Sequence, residues 1–394
     1  MKNRWIAALL AVAAISAPAF CLAAPDPVVI GAVIAQTGPV SSLGEGEVKA
    51  INMYAKDVNA KGGIAGHPLK VVILDSAGDP QKAVLNVRKL ISEDNVAGVI
   101  CCTTTPESMA IIDTVQRAEV PTISLGSAAT IAEPVSERHW VFKPSPTDAI
   151  MIGVEVGDMK KRGVKTVGYL GFNTALGHAG LTEFQKAAPA AGIKIVNVEQ
   201  FAPSDTNLSA QGAKLAAANP DAVLIIANPP GANVAQKAIQ AAGYKGTIYQ
   251  TYGVTNETYL RLGGASLNGT RISVPPITVY NHLPDSRPFK PVVEKFVKDY
   301  KAAFNGEVPS NFAAFAYAGI RIFSTVAGNE LSGGKAKLSD TASFRKALRD
   351  GIENLHGFQS VNGTYNFSKT DHVGLDASSI TMVTVENGEY VVAH

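Results

Sequence analysis

Hydrophobic positions along the chain alternate between short unbroken runs and residues spaced three or four apart. Val28–Ile34 is an apolar run of strand length, and Val48, Ile51, Tyr54, Ala55 and Val58 then recur at helical spacing. Gly62-Gly63 ends that helix, and Leu69–Leu74 is the next strand. Asp79-Pro80 supplies an N-cap followed by proline at the first helical position, ahead of an apolar face of Val84, Val87, Leu90 and Ile91. A third strand is predicted at Val96–Ile100, a helix at Ser108–Ala118 and a fourth strand at Pro121–Leu125. After a connecting stretch around His139–Pro146 the rhythm restarts. Strands are predicted at Val164–Leu170, Ile193–Val198, Ala222–Ala227 and Ile248–Gln250, with helices at Gly177–Ala190, Leu208–Ala218 and Val234–Ala242 between them. Pro275-Pro276 breaks the pattern. Helical stretches follow at Pro288–Phe304, Phe312–Ala327 and Ser343–Gly351, with hairpin-like sequence at Gly363–Asn366. Strands alternating with helices imply an α/β protein with two doubly wound blocks of mostly parallel sheet. In such sheets ligands bind beyond the carboxyl ends of the strands, so two facing blocks place a site between them.

The first 24 residues fall outside this pattern. Lys2 and Arg4 precede the apolar run Ile6–Ile15, and Pro18 and the small residues up to Ala24 follow. That is the layout of a secretory signal peptide, cleaved after Ala23 or Ala24, and its apolar core is too short to span a bilayer. Cys21 suggests a lipoprotein, but Phe20 stands where a lipid-attachment motif wants a small residue. The chain is therefore expected in the periplasm, without membrane insertion. Its formal charge is only +2, and the leader carries that excess in Lys2 and Arg4. A neutral mature chain argues against nucleic-acid binding, which needs a basic face.

Catalytic signatures are missing from the sequence. Gly44-Glu-Gly46 begins a dinucleotide fingerprint, but position 49 is lysine where a third glycine belongs; there is no phosphate loop, HExxH or GxSxG. The seven histidines are scattered singly, His178 alone being a candidate cleft residue, and three cysteines leave no zinc pattern. No cofactor or metal is expected, and no enzymatic activity. Cys101-Cys102 reads as two small apolar residues ending a buried strand, since Cα atoms about 3.8 Å apart fall below the usual disulfide range. Directly after them, Thr103-Thr-Thr-Pro-Glu-Ser108 places hydroxyls and free N–H groups where a strand enters a helix. That suits a carboxylate or other anion, or simply an N-cap cluster. Ser124–Thr130, also following a strand, is a second small-residue loop that lets a ligand approach the backbone.

Several segments resemble one family. Ile30–Pro39, Asp57–Ile64, Gly66–Leu69 and Asp75–Pro80, in that order, are similar to the branched-chain amino acid type of periplasmic solute-binding protein of ABC transporters, over nearly the whole mature chain. The resemblance implies a type I periplasmic-binding fold: two lobes joined by three crossovers, one of residues 25–145 plus 275–376, the other of 146–274 plus 377–394. It implies a monomer that closes on a small carboxylate ligand and docks on a membrane permease. Carried over residue by residue, Thr104 and Thr105 match the hydroxyl pair for the ligand carboxylate, and Gly126, Ser127 and Ala128 the second loop. Leu43 stands where a larger aromatic often packs on the ligand. Asn173, Leu176 and Asn228 match cleft positions of the second lobe, and Phe312 an aromatic wall returning from the first. Two departures stand out. The cysteine expected near Gly78 is missing, and Tyr252 occupies about the place of an acidic partner for the ligand's ammonium, for which Asp205 or Asp148 are the substitutes. With Gln250–Asn256 similar to binders of benzoate or hydroxycinnamate types, an aromatic or other hydrophobic carboxylic acid is the favoured ligand. A branched-chain or other hydrophobic amino acid, or a sensor role on the same fold, is the alternative.

Overall fold

The protein is described by a computed structural model covering residues 25–393, so the expected leader lies outside the described residues. The first block runs β1 (Val28–Ile34), α1 (Ser41–Ala60), β2 (Leu69–Asp75), α2 (Pro80–Ser92), β3 (Gly98–Cys101), α3 (Thr105–Arg117), β4 (Thr122–Ile123) and β5 (Val141–Phe142). These strands form an all-parallel sheet in the order β2-β1-β3-β4-β5. The chain then enters α4 (Asp148–Lys161), β6 (Thr166–Phe172), α5 (Ala175–Ala190), β7 (Lys194–Phe201), α6 (Ser209–Ala218), β8 (Ala222–Ile226), α7 (Gly231–Ala241), β9 (Thr247–Thr251), α8 (Glu257–Gly263) and β10 (Arg271–Val274). It returns to the first block through α9 (Lys290–Ala303), α10 (Asn311–Ser332), α11 (Thr341–Glu353) and the hairpin β11 (Phe358–Ser360)–β12 (Gly363–Tyr365). Finally β13 (Thr381–Glu386) and β14 (Glu389–Val392) join the second sheet antiparallel, giving the order β14-β13-β10-β9-β8-β6-β7. The chain thus passes between the two sheets three times.

Local sequence explains most element ends. Asp79 caps α2 by accepting from the Lys82 N–H at 2.8 Å, with Pro80 at the first helical position. Fifteen of the residues of α10 are buried, because this helix lies between α1 and the first sheet. Gly98 of β3 is needed there: a Cβ would meet the Phe323 ring of α10 at 2.7 Å.

Parts of the architecture differ from the sequence expectation, β5 among them, which lies in the stretch read as a connection. The stretch before Val164 contains α4, and β10 precedes the Pro275 break; both carry polar residues on buried faces that satisfy one another. Arg271 of β10 donates to both carboxylate oxygens of Asp158 at 2.7 and 2.8 Å. Ser273 donates to Glu155 at 2.7 Å, and burial pushes the Glu155 carboxyl up to about 8. Cys101 and Cys102 are corrected as well. The 3.8 Å spacing assumed a trans peptide, whereas theirs is cis with Cα atoms 3.0 Å apart, and the two sulfurs are joined in a disulfide.

The turn from β6 into α5 shapes the second block's edge of the cleft. A Cβ on Gly177 would sit 1.8 Å from the Phe172 carbonyl oxygen, a backbone atom that cannot step aside. We expect Gly177→Ala to destabilise the fold by about 1–3 kcal/mol through overpacking, read as a lower denaturant midpoint. A midpoint equal to wild type would show that α5 does not dock this closely.

Candidate functional site

The carboxyl ends of β3 and β4 face those of β8 and β9 across a cavity with about 400 Å³ of atom-free space, part of it open to solvent. From the first block it is lined by Thr103–Thr105 and Leu125–Ser127, and Phe312 at the start of α10 adds an aromatic wall. The second block contributes Leu176, Ile226–Asn228 and Thr251–Gly253.

The first wall is two strand-end loops tied together by one hydroxyl. Thr105 Oγ1 accepts the backbone N–H groups of Ser127 and Ala128 at 3.2 and 3.4 Å and lies 3.3 Å from Ser127 Oγ. Beneath it, Ser124 donates to Ser108 Oγ at 2.9 Å and Ser108 to the Thr104 carbonyl at 2.8 Å. Gly126 fits only as glycine, since a Cβ would meet Ser108 Oγ at 2.9 Å and Thr105 Cα at 3.1 Å. Its carbonyl accepts from Ser145 Oγ at 3.0 Å and from the Lys143 ammonium. Thr105 also opens α3, whose dipole favours negative charge, although its first-turn donors are largely used: Pro106 has no N–H, and Thr104 and Glu107 cap each other's N–H groups.

The opposite wall centres on Tyr252, which is buried. Its hydroxyl donates to the Pro146 carbonyl at 3.2 Å, its ring packs edge-on to Phe315 with centroids 5.1 Å apart, and burial holds its pKa above the ordinary phenol value. Thr255 Oγ1 donates to Asn311 Oδ1 at 2.7 Å, a direct bond between the end of the second sheet and α10 of the first block. The Asn311 amide also reaches the Tyr252 carbonyl at 3.4 Å.

Of the residues singled out from sequence, Thr104, Thr105, Gly126, Ser127, Leu176, Asn228, Tyr252 and Phe312 converge on this cavity. Leu43 does not: it is fully buried in the core under α1. Ala128 is buried behind the wall, its N–H on Thr105, and Asn173 is exposed at the rim with its N–H on the Phe201 carbonyl. Thr103, Leu125, Thr251 and Gly253 also line the cavity, within segments singled out from sequence but not named as site residues, whereas Ile226 and Ala227 line it and read only as strand core. Neither candidate ammonium partner lines the cavity. Asp205 accepts from the Ala202 N–H at 2.8 Å, and Asp148 from the Ala129 and Ala149 N–H groups at 2.8 and 2.9 Å. Burial pushes the Asp148 carboxyl up and the Lys143 ammonium down, their mutual attraction opposing both. His178 is exposed and lines a neighbouring side pocket with Asp148 and Glu183. The lining among the described residues thus gathers hydroxyls on the first-block wall, mixes apolar, aromatic and amide groups elsewhere, and has no charged side chain.

Comparison with known proteins agrees with this layout. The family profile described as periplasmic binding protein matches residues 27–389. The chain belongs to that family. A Leu/Ile/Val-binding protein homologue of Brucella melitensis is 24% identical over 378 residues, 94% of this chain and 95% of that protein. An extracellular ligand-binding receptor from Rhodopseudomonas palustris superposes with a TM-score of 0.87 at 32% identity, covering 94% of this chain and all of that one. The branched-chain amino acid transporter substrate-binding protein of Streptococcus pneumoniae, solved with isoleucine, shares the fold at a TM-score of 0.79 and 19% identity, covering 93% and 99%. Homologues are solute-binding proteins that work in the periplasm with ABC transporters. No helix among the described residues is long and apolar enough to cross a membrane.

The Thr255–Asn311 bond joins the two blocks beside the cavity. We expect Asn311→Ala to shift the ligand-free protein toward an open form by about 1–3 kcal/mol, seen as a larger radius of gyration in solution scattering. An unchanged radius would assign closure to other contacts.

Proposed function

We propose that the protein captures a small carboxylate-bearing solute, preferably an aromatic or other hydrophobic carboxylic acid, and delivers it to an ABC-transporter permease by lobe closure. The lobes are residues 25–145 with 275–376 and 146–274 with 377–394, a division supported by the three passages between the sheets. Capture takes place in the periplasm after removal of the leader. Ligand binding across the cleft stabilises the closed arrangement by its greater affinity for that form, and the permease reads closure rather than the ligand.

The observation that carries this reading is the uncharged lining with hydroxyls gathered on the first-block wall. Thr105, Ser127 and the α3 N-terminus offer dipoles and donors to a carboxylate, while Phe312, Leu176 and Tyr252 offer apolar and aromatic surface to the remainder of the ligand. An α-ammonium would be buried there without an anion, at a cost of several kcal/mol. The names of the curated relatives favour the second reading, a branched-chain or other hydrophobic amino acid. Leu176 and Ile226 would then receive the aliphatic side chain, and the Asn228 amide oxygen the ammonium.

A thermal-shift panel separates the two. Ligand at 100 times its dissociation constant adds about 2.7 kcal/mol of stability; we expect benzoate or hydroxycinnamate types to raise the melting temperature and leucine or valine not to. The reverse result would establish the amino-acid reading. Thr105→Val should weaken every carboxylate ligand about tenfold or more, since a lost hydroxyl leaves the Ser127 and Ala128 N–H groups unpaired, while unfolding stays cooperative. Undiminished binding in calorimetry would move the carboxylate end away from this loop.

A further inference from the structure

Two buried carboxylates stand behind the threonine loop without lining the cavity. Glu47 of α1 and Glu107 of α3 have no solvent exposure. Glu47 Oε2 accepts the Thr103 hydroxyl at 2.6 Å, and Glu107 Oε2 accepts both the hydroxyl and the backbone N–H of Thr104, at 2.6 and 3.1 Å. The other oxygen of Glu47, Oε1, is buried with no hydrogen-bond partner. A threonine hydroxyl has one proton to give. While the two acids are ionised, Thr103 and Thr104 direct that proton backwards and turn lone pairs toward the cavity. Such a wall repels an anion, and two negative charges behind it repel it further.

The charges around the pair do not relieve this. Glu47 faces Glu107, and Glu107 also feels Asp79 at the start of α2. Lys49, two residues from Glu47, is engaged on the outer face by Glu45 and Glu307 at 2.7 and 2.6 Å. Burial, the largest influence on each, raises both carboxyls, while the hydroxyls of Thr103 on Glu47 and of Ser76 and Thr104 on Glu107 oppose it.

We propose that Glu47 and Glu107 are positioning residues that make carboxylate capture proton-linked. A proton taken from solvent onto Glu47 is donated to Thr103 Oγ1, and one taken onto Glu107 is donated to Thr104 Oγ1. Each hydroxyl then turns its own proton into the cavity, toward the ligand carboxylate. The geometry accommodates the exchange: Thr103 Oγ1 keeps the Ala35 N–H at 3.0 Å as its second accepted bond and becomes fully satisfied. No bond other than these O–H bonds is made or broken. The sign follows from linkage. An anion prefers the protonated form, so affinity rises as pH falls through the raised carboxyl values, until the ligand's own carboxyl protonates near pH 4.

The relay rests on the carboxylate reading of the cleft, and one experiment separates their failures. The mature protein is titrated calorimetrically with 4-hydroxycinnamate and with leucine between pH 5.5 and 8, in buffers of low and high ionisation enthalpy. Wild type should take up as many as two protons per ligand bound, one on each glutamate, its affinity rising by up to about tenfold per pH unit for each proton taken up. Glu47→Gln and Glu107→Gln, neutral at every pH and able to donate an amide proton to the same hydroxyl, should flatten the profile and bind more tightly than wild type at pH 8. Binding without proton uptake in wild type, which requires no variant to fold, would overturn the relay and leave the carboxylate reading standing. So would Gln variants that keep the wild-type slope. Binding of neither probe at any pH would overturn both.

Discussion

The cleft depends on the Thr105 hydroxyl. Strands β3 and β4 pair side by side, but their ladder ends at Ile100 and Ile123, and beyond it the two loops share no strand hydrogen bonds. Thr105 Oγ1 supplies the missing link by accepting from Ser127 and Ala128. Both lone pairs are then used, so the hydroxyl proton must point elsewhere, toward Ser127 Oγ or into the cavity. One side chain therefore holds the wall and sets its polarity. The serines beneath it, Ser108 and Ser124, fix the loops from below, and Gly126 lets them approach closely. Preorganisation of this kind removes most of the ordering cost that a small ligand would otherwise meet.

Sequence legibility followed the hydrophobic pattern and failed where polar groups are buried in pairs. β1 spans the expected Val28–Ile34, and the capped start of α2 was readable from Asp79-Pro80. By contrast α4 carries Asp148 and Glu155 on its buried face, which blurs a 3.6-residue period, and β10 reads as polar because Arg271 and Ser273 point at α4. Such pairs are visible only once two distant segments meet. The site behaved similarly. Positions at strand ends were legible because small and hydroxyl residues there are unusual. Leu43, by contrast, sits inside α1, and its core position depends on how that helix rolls against β1; Gly44, whose Cβ would meet the Ala35 carbonyl oxygen at 2.1 Å, fixes that roll. The Cys101–Cys102 bond was illegible because the peptide between them is cis.

The two lobes meet around the cavity by direct bonds as well as through whatever lies between them. Thr255 and Asn311 join across one side, and the Tyr252 hydroxyl reaches Pro146, in the first passage between the sheets. Tyr252 thus contacts cavity, crossover and α10 at once. A side chain so placed is sensitive to both ligand shape and lobe angle, which couples recognition to closure with no separate relay between them.

An uncharged cavity restricts what can be held tightly. Burying an ion costs several kcal/mol unless hydrogen bonds to it replace the lost water, and bonds to an ionised acceptor are roughly twice as strong as neutral ones. A helix N-terminus and oriented hydroxyls can do this for one carboxylate. An ammonium needs acceptors instead, which hydroxyls supply only while their protons point away from the cavity. The acceptor-rich state of the loop, with Thr103 and Thr104 donating to Glu47 and Glu107, opposes the carboxylate. A single anionic group is therefore well served only when those acids carry protons. The choice of ligand class thus turns on a few atoms behind the wall and on the residue at position 252, rather than on the fold, which the chain shares with amino-acid binders.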